Sequence, residues 1–189
     1  MIYDLPTAVE IGGVEFAIRS DYRPALDIML AMNDPELDDM QRTLAVLDIF
    51  YPDFDSIPLE HYKEAIEKVL WFIQCGDQND NTKRKAPKLM DWDQDFQYIV
   101  APINRVVGQE IRSIPYLHWW SFISAYYEIG DCYFAQVVRI RNKKAKGALK
   151  DKADKDFYKE NRSVIDFKTH YTSAEEAFLK NWGGGGNAK

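Results

Sequence analysis

The strongest constraint on the fold comes from an aromatic segment at residues 113–141, which holds two Trp, four Tyr and two Phe residues around one histidine, His118. On a helix these side chains would cover most of the circumference, with one face formed by Trp119, Phe122, Ile123 and Tyr126 and the rest by Leu117, Trp120 and Tyr127. Such a helix has to lie centrally in a bundle or be shared with a partner, and we favour the core position. The composition is typical of packing and docking, because a catalytic segment would instead bring several titratable groups together.

The remaining chain is mostly patterned as helices. Residues 8 to 19 alternate around Gly12-Gly13 and predict a β-hairpin. Three- and four-residue apolar spacing, with capping residues and breakers, then predicts helices at about 21–33, 38–50, 58–76, 91–107, 115–129, 131–147 and 151–167. The sequence therefore predicts a mainly α fold, an irregular helical bundle with a small N-terminal β-hairpin.

The domain organisation follows from composition. We predict one mainly helical domain over residues 1–172, because neither half of the chain alone would have an ample core. Within it, the polar stretch 77–88 is predicted to be a mobile surface loop. Residues 173–189 are predicted to be a short amphipathic segment ending near Trp182, followed by a flexible Gly-rich tail.

Charge is distributed unevenly along the chain. Residues 1–76 hold 15 acidic against 5 basic residues, whereas residues 139–170 hold 11 basic against 5 acidic. Such a split can attract a charged partner or support self-association, but the basic run is more often a solvated helix face. Nucleic-acid binding is disfavoured, because the chain has a pI of about 5.1 and acidic residues interrupt the basic run. No apolar run is long enough for a membrane span and no signal peptide is recognised, so we expect a cytoplasmic protein.

Three patterns could suggest metal or acid–base chemistry. Asp91, Asp93 and Asp95 resemble the start of a calcium loop, but Phe96 and Pro102 stand where that loop needs glycine and an acidic ligand. We interpret these aspartates as favourable charges at a helix N-terminus. A second group, Glu60, His61, Glu64 and Glu67, is interpreted as a surface helix face, because the chain has no matching set for a di-metal site.

His118 is interpreted as a satisfied core or interface histidine, since its neighbours are packing residues. The chain contains no nucleophile elbow, phosphate-binding loop or dinucleotide fingerprint. We therefore predict a protein that is not an enzyme, with no catalytic residue, no cofactor and no metal site.

Six separated segments occur in a recognisable order, at residues 1–23, 47–52, 65–72, 88–95, 116–122 and 157–162. In these segments the chain resembles the gene-product-fifteen family of tailed bacteriophages and prophages, and the resemblance extends to about residue 172. It implies a tail assembly chaperone of long-tailed phages that binds the tape measure protein or tail tube subunits. Such a protein would work in the host cell cytoplasm and be absent from the mature virion. The family supplies no catalytic residues to carry over.

The resemblance and the aromatic pattern together place the expected partner-binding residues. We expect a client's apolar stripe to meet the aromatic helix or the terminal segment, through Trp119, Trp120, Tyr126, Phe178 and Trp182. A structural minor tail protein retained in the virion is the first alternative. A metal-dependent hydrolase using His118 and nearby carboxylates is a less favoured second one.

Overall fold

The computed structural model of the chain describes residues 4–77, 86–169 and 172–175. The first part of the chain forms a two-stranded antiparallel sheet and then three helices: β1 (Ala8–Ile11), β2 (Val14–Ala17), α1 (Tyr22–Asn33), α2 (Asp39–Phe50) and α3 (Tyr62–Ile73). The second part is helical: α4 (Trp92–Val107), α5 (Trp119–Tyr127), α6 (Tyr133–Ala145), α7 (Lys152–Glu160) and α8 (Arg162–Ile165). Short 3-10 turns at Phe54–Ser56 and Leu59–His61 precede α3. The predicted mainly helical fold with an N-terminal hairpin is confirmed.

The hairpin is built around its glycine pair. Gly12 and Gly13 have φ values of +55° and +80°, the left-handed conformation that a tight two-residue hairpin turn requires. This turn fixes a register in which Val9 lies opposite Phe16. Val9 and Ile11 are buried, and β1 packs against α3. Strand pairing ends at Ala17, two residues earlier than predicted.

Helix ends follow the local capping chemistry where an aspartate precedes the first turn. Asp21, Asp38, Asp91 and Asp151 all accept backbone N–H bonds at the starts of α1, α2, α4 and α7. The prediction of one helix over residues 151–167 is wrong, because the structure has two helices there, α7 and α8, which are separated at Asn161. There the Asn161 side chain donates to the Phe157 carbonyl (2.9 Å) and accepts from the Tyr133 hydroxyl (2.8 Å).

The aromatic helix α5 begins at Trp119 and not near residue 115. Its preceding residues are extended, because they pair with the residues before α1. The amide of Tyr22 donates to the Leu117 carbonyl (2.9 Å), and the amide of Trp119 donates to the Ser20 carbonyl (2.9 Å). The Asp21 carboxylate also accepts from the Leu117 amide (2.8 Å). These bonds hold residues 117 and 118 outside α5 and join the two halves of the chain.

The core contains two hydrophobic clusters. The larger one gathers side chains from the hairpin and α1 to α6, and the Tyr22 and Phe122 rings stack within it at 4.8 Å. The smaller one joins α6 to α8 through Val137, Ile140 and Ile165. Helix α6 contributes to both clusters, since Phe134 belongs to the larger one.

Some predictions concern residues that the structure does not describe. Most of the predicted loop at 77–88 and of the terminal segment 173–189 lies outside the described residues. The single domain over 1–172 stays a prediction. Among the described helices, none combines the length and apolarity needed to cross a bilayer.

Candidate functional site

A groove lies between α1 and the beginning of α4. It consists of two cavities, of about 700 Å³ and about 380 Å³, which share Leu30, Trp92 and Asp93 as lining residues. We call this feature the α1–α4 groove. Its volume falls in the range of pockets that hold ligands or side chains of a partner. Its apolar lining comes from Leu26, Met29, Leu30, Met90, Trp92 and Phe96.

The α1 wall exists because this helix carries more apolar residues than one face can bury. Ala25 and Ile28 are fully buried in the core. Leu26 and Leu30 are four residues apart and form a second stripe, which faces the groove. The Leu30 side chain remains 43% exposed. This second stripe is the signal in the sequence that predicts an apolar surface, although the sequence does not reveal its opposite wall.

The α4 wall is positioned by the aromatic helix. Trp92, the first residue of α4, lines both cavities. Its ring packs against three aromatic rings of α5, with centroid distances of 5.5 Å to Tyr126, 5.8 Å to Phe122 and 5.9 Å to Trp119. The aromatic rings of α5 therefore pack behind Trp92, and Trp92 in turn forms part of the groove surface.

The predicted partner-binding residues occupy different environments. Trp119 is 1% exposed and its indole N–H donates to the Ile73 carbonyl (3.0 Å), so its side chain belongs to the core. Trp120 is half-buried and donates to the Phe72 carbonyl (2.9 Å). Tyr126 is half-buried, and burial raises its pKa to about 12. Phe178 and Trp182 lie outside the described residues. Partner binding by these five residues stays a prediction. Trp119 and Tyr126 contact the groove residue Trp92, whereas Trp120 packs against Trp71 and Phe72.

His118 has a structural position at the N-terminus of α5. Its Nδ1 accepts from the Trp120 amide (3.0 Å), which makes it the N-cap, and its Nε2 lies 3.0 Å from the Pro6 carbonyl. These partners fit the neutral tautomer with its proton on Nε2. Burial lowers the pKa of His118, although the bond to the Pro6 carbonyl opposes this effect. The geometry agrees with a satisfied core histidine.

A buried ion pair joins α4 to α6 one turn away from Trp92. The guanidinium of Arg141 binds both carboxylate oxygens of Asp95 at 2.5 and 2.9 Å, and the two side chains are 3% and 0% exposed. Arg141 also donates to the carbonyls of Leu89, Val164 and Ile165, so that all five of its N–H groups are used. As the sequence indicated, Asp91 caps α4 and Asp95 lies in its first turn, where it accepts from the Asp91 amide (2.9 Å). The sequence did not indicate that Asp95 is fully buried and paired with Arg141.

Three other cations of the basic run are also paired with carboxylates. Arg139 and Lys143 both contact the Asp154 carboxylate, and the Lys143 hydrogen bond is the main cause that lowers the pKa of Asp154. Lys144 lies 2.5 Å from the Asp166 carboxylate. The interpretation of this run as a solvated face is wrong for Arg141, which is buried, but it agrees with the exposure of Arg139 and Lys144, whose side chains are 50% and 47% exposed.

His61, just before α3, and Glu64, in its first turn, lie beside the hairpin turn. Glu64 accepts from the Gly12 amide (3.0 Å) and lies 3.6 Å from the His61 ring. Within residues 4–77, 86–169 and 172–175, no group of three or more His, Cys, Asp or Glu side chains is arranged to hold a metal ion.

Comparison with known proteins gives one match. The model of a family described as "Bacteriophage Gp15 protein" matches residues 1–166. This confirms the resemblance that the sequence motifs indicated. No curated protein and no solved structure matches the chain.

Proposed function

Because the chain belongs to the bacteriophage Gp15 family, we propose that it is a non-enzymatic tail assembly chaperone that binds an amphipathic helix of the tape measure protein. Family membership itself establishes the coarser statement, that this is a phage structural or morphogenesis protein. The observation that carries the finer proposal is the α1–α4 groove, an exposed apolar channel on a rigid helical support.

The dimensions of the groove suit a short helix. Its α1 wall extends from Arg23 to Asn33, which are ten residues apart and therefore span about 15 Å of helix. That length accepts about three turns of a second helix, which would present apolar side chains at three- and four-residue spacing. A tape measure protein is a long helical chain whose apolar stripes are exposed before assembly, so it offers such segments.

The charges around the groove favour a basic helix. Its cations already have acidic partners: Lys88 pairs with Asp91 (2.6 Å), Arg23 with Asp21 (3.0 Å), and Arg112 with Glu110 (2.8 Å). Among the described residues, Asp27 and Asp93 on the groove lining make no ion pair. A client helix with Lys or Arg beside its apolar stripe would therefore complement the groove, and its binding would weaken with salt.

A non-enzymatic role is supported because the side chains that the sequence analysis considered for metal or acid–base chemistry have structural roles. His118 caps α5, Asp95 is paired with Arg141, and Glu64 accepts from the Gly12 amide. We further propose that the protein acts in the host cell cytoplasm, with protein partners and neither nucleic acid nor membrane as its target.

The groove proposal is tested by copurification of the tape measure protein with two matched variants. Leu30→Glu places a charge in the groove, whereas Leu59→Glu makes the same change at a site outside it that is 76% exposed. Burial of a leucine contributes about 1.5–3 kcal/mol, so Leu30→Glu should reduce client recovery about tenfold or more. Leu59→Glu should leave recovery unchanged. Both variants should retain the wild-type circular dichroism spectrum.

Equal recovery of the tape measure protein with wild type and with Leu30→Glu would contradict binding in the groove.

Mass spectrometry of purified virions distinguishes a chaperone from a minor tail protein that is retained in the virion. A chaperone is absent from the finished particle, whereas a stoichiometric amount in virions would favour the structural alternative.

A further inference from the structure

The two cavities of the α1–α4 groove lie end to end. On α1, the lining of the smaller cavity centres on Leu26 and that of the larger one on Ala31, five residues or about 7.5 Å further along the helix. The order is reversed on the opposite wall, where Met90 lines only the larger cavity and Phe96 only the smaller one. The two walls are therefore antiparallel, and Trp92 lies between the cavities, because it lines both.

This arrangement selects the spacing of the anchors on a client helix that lies along the groove. Side chains four residues apart share one face of a helix and are about 6 Å apart along it. Those seven residues apart are separated by about 10.5 Å, and those five apart lie on different faces. The four-residue spacing is therefore the nearest match to the distance of about 7.5 Å between the cavities, with one anchor in each.

The linings favour a different anchor in each cavity. Met29 and Met90 line the larger cavity from opposite walls, and thioether groups adapt to irregular shapes and make favourable contacts with aromatic rings. The smaller cavity has about half the volume of the larger one, and three aromatic side chains line it: Tyr22, Trp92 and Phe96. An aromatic anchor thus fits the larger cavity, and a leucine or isoleucine fits the smaller one.

Carboxylates on both walls favour two basic residues between the anchors. Among the described residues, Asp27 on α1 and Asp93 on α4 make no ion pair. On a client helix, the positions one and three residues after the first anchor project about 80° to either side of the anchor stripe, so each faces one wall. Lys or Arg at these positions would complement the two aspartates.

Charges at the two ends of the groove favour one direction of the client helix. The lining of the larger cavity carries three aspartates and one lysine, whereas that of the smaller cavity carries two aspartates and two arginines. The N-terminus of a helix has a partial positive charge and its C-terminus a partial negative charge. The N-terminal end of the client is therefore favoured at the more negative, larger cavity, which makes the client helix antiparallel to α1.

We propose that the groove recognises a helix with an aromatic anchor, Lys or Arg one and three positions later, and Leu or Ile four positions later, running antiparallel to α1. The inference rests on the proposed function, since it names the segment of the client that the groove selects. Other amphipathic helices share the apolar stripe but lack this order of anchors and charges.

The test measures binding of a designed peptide to the full chain by fluorescence anisotropy. The probe is a fluorescein-labelled helix based on alanine and glutamine, with Phe, Lys, Lys and Leu at the four positions. A peptide of the same composition, with Leu moved to the second position after Phe and so onto the opposite face, is the matched control. The control should bind about tenfold more weakly, because its leucine cannot enter the smaller cavity. Equal binding of the two peptides, or binding of neither, would overturn the proposal.

Charge reversal tests the basic positions. Asp93→Lys should weaken binding of the probe severalfold, whereas Asp55→Lys, the same change at an exposed site outside the groove, should have no effect. One of the two peptides in which a single Lys is replaced by Glu should recover binding to Asp93→Lys. Equal binding of the probe to the two variants, or recovery with neither peptide, would contradict the assigned charges.

Photo-cross-linking tests the direction. p-Benzoylphenylalanine in place of the Phe of the probe should cross-link to Met29 or Met90, and in place of its Leu to residues 22–27 or Phe96. The opposite distribution would overturn the direction, and cross-links outside the groove lining would overturn binding in the groove.

The proposed function has a separate readout, which is copurification of the tape measure protein. If Leu30→Glu reduces that recovery but the probe and its control bind equally, client binding stands and the recognition pattern fails. If the probe binds as expected but no tape measure protein copurifies with wild type, the proposed function fails and the recognition pattern stands.

Discussion

Replacing Arg141 by lysine tests whether the buried ion pair holds α4 in place. Lysine keeps the positive charge but has three N–H donors, whereas Arg141 uses five. At least two bonds are therefore lost, and hydrogen bonds to charged groups contribute about 1.5–3 kcal/mol each. We expect Arg141→Lys to reduce the free energy of unfolding by about 3 kcal/mol or more.

Arg139→Lys provides the matched control. Arg139 lies on the same helix and also binds an aspartate, but its side chain is half exposed. Exposed ion pairs contribute about 0–1 kcal/mol, so this variant should remain close to wild type. Equilibrium unfolding in urea, followed by tryptophan fluorescence and far-ultraviolet circular dichroism, measures both variants. With an m value of about 2 kcal/mol/M, Arg141→Lys should shift the midpoint by about 1.5 M.

A double-mutant cycle measures the interaction between Asp95 and Arg141 separately from their contacts with other residues. Asp95→Ala and Arg141→Ala each leave one buried charge uncompensated, and each loss costs about 3–5 kcal/mol. The double variant removes both charges, so its destabilisation should be clearly smaller than the two single effects added together. Additive effects, or Arg141→Lys unfolding at the same urea concentration as Arg139→Lys, would refute the role given to this pair.

Two further predictions concern the N-cap of α5 and the hairpin turn. Since burial lowers the folded-state pKa of His118 below its usual 6.5, its stabilising contribution is present above about pH 6.5 and is lost as the pH falls through the folded-state value. His118→Asn keeps an N-cap acceptor without this titration, so urea unfolding at pH 7.5 and 5.5 should show a smaller pH effect in this variant; an equal effect would contradict the assignment. At the hairpin, a Cβ on Gly12 would lie 2.6 Å from the His61 ring, whereas one on Gly13 would meet nothing within 4 Å. Gly12→Ala and Gly13→Ala should each lose about 1–2 kcal/mol of unfolding free energy, because φ is positive at both positions. Thermal unfolding should show a further loss only in Gly12→Ala. Adding His61→Ala to that variant should relieve the further loss.

The elements that the sequence predicted well are those fixed by neighbouring residues. The Gly12-Gly13 pair determines the hairpin turn, and Asp38 and Asp91 cap helices through bonds to amides two or three residues away. These features need no information about the rest of the fold. The N-terminal hairpin and the mainly helical class were predictable for that reason.

The errors occur where distant residues decide the structure. The start of α5 is moved to Trp119 by bonds to residues 20–22, almost one hundred positions earlier. Asp95 and Arg141 are 46 residues apart, and each alone is consistent with an ordinary charge on a helix surface. The α1–α4 groove was missed for the same reason, since its walls come from parts of the chain about 60 residues apart and only the Leu26–Leu30 stripe indicates it locally.

The buried ion pair and the groove are connected through α4. Asp95 lies three residues after Trp92, so the bond to Arg141 holds the inner face of the first turn while Trp92 forms the groove wall. Arg141 also binds the carbonyl of Leu89, beside the lining residue Met90. The groove wall is thus fixed from behind by α6 as well as by the aromatic rings of α5. Arg141, one cation of a basic run that the sequence analysis interpreted as a solvated helix face, therefore acts inside the fold, where its bonds hold one wall of the apolar groove.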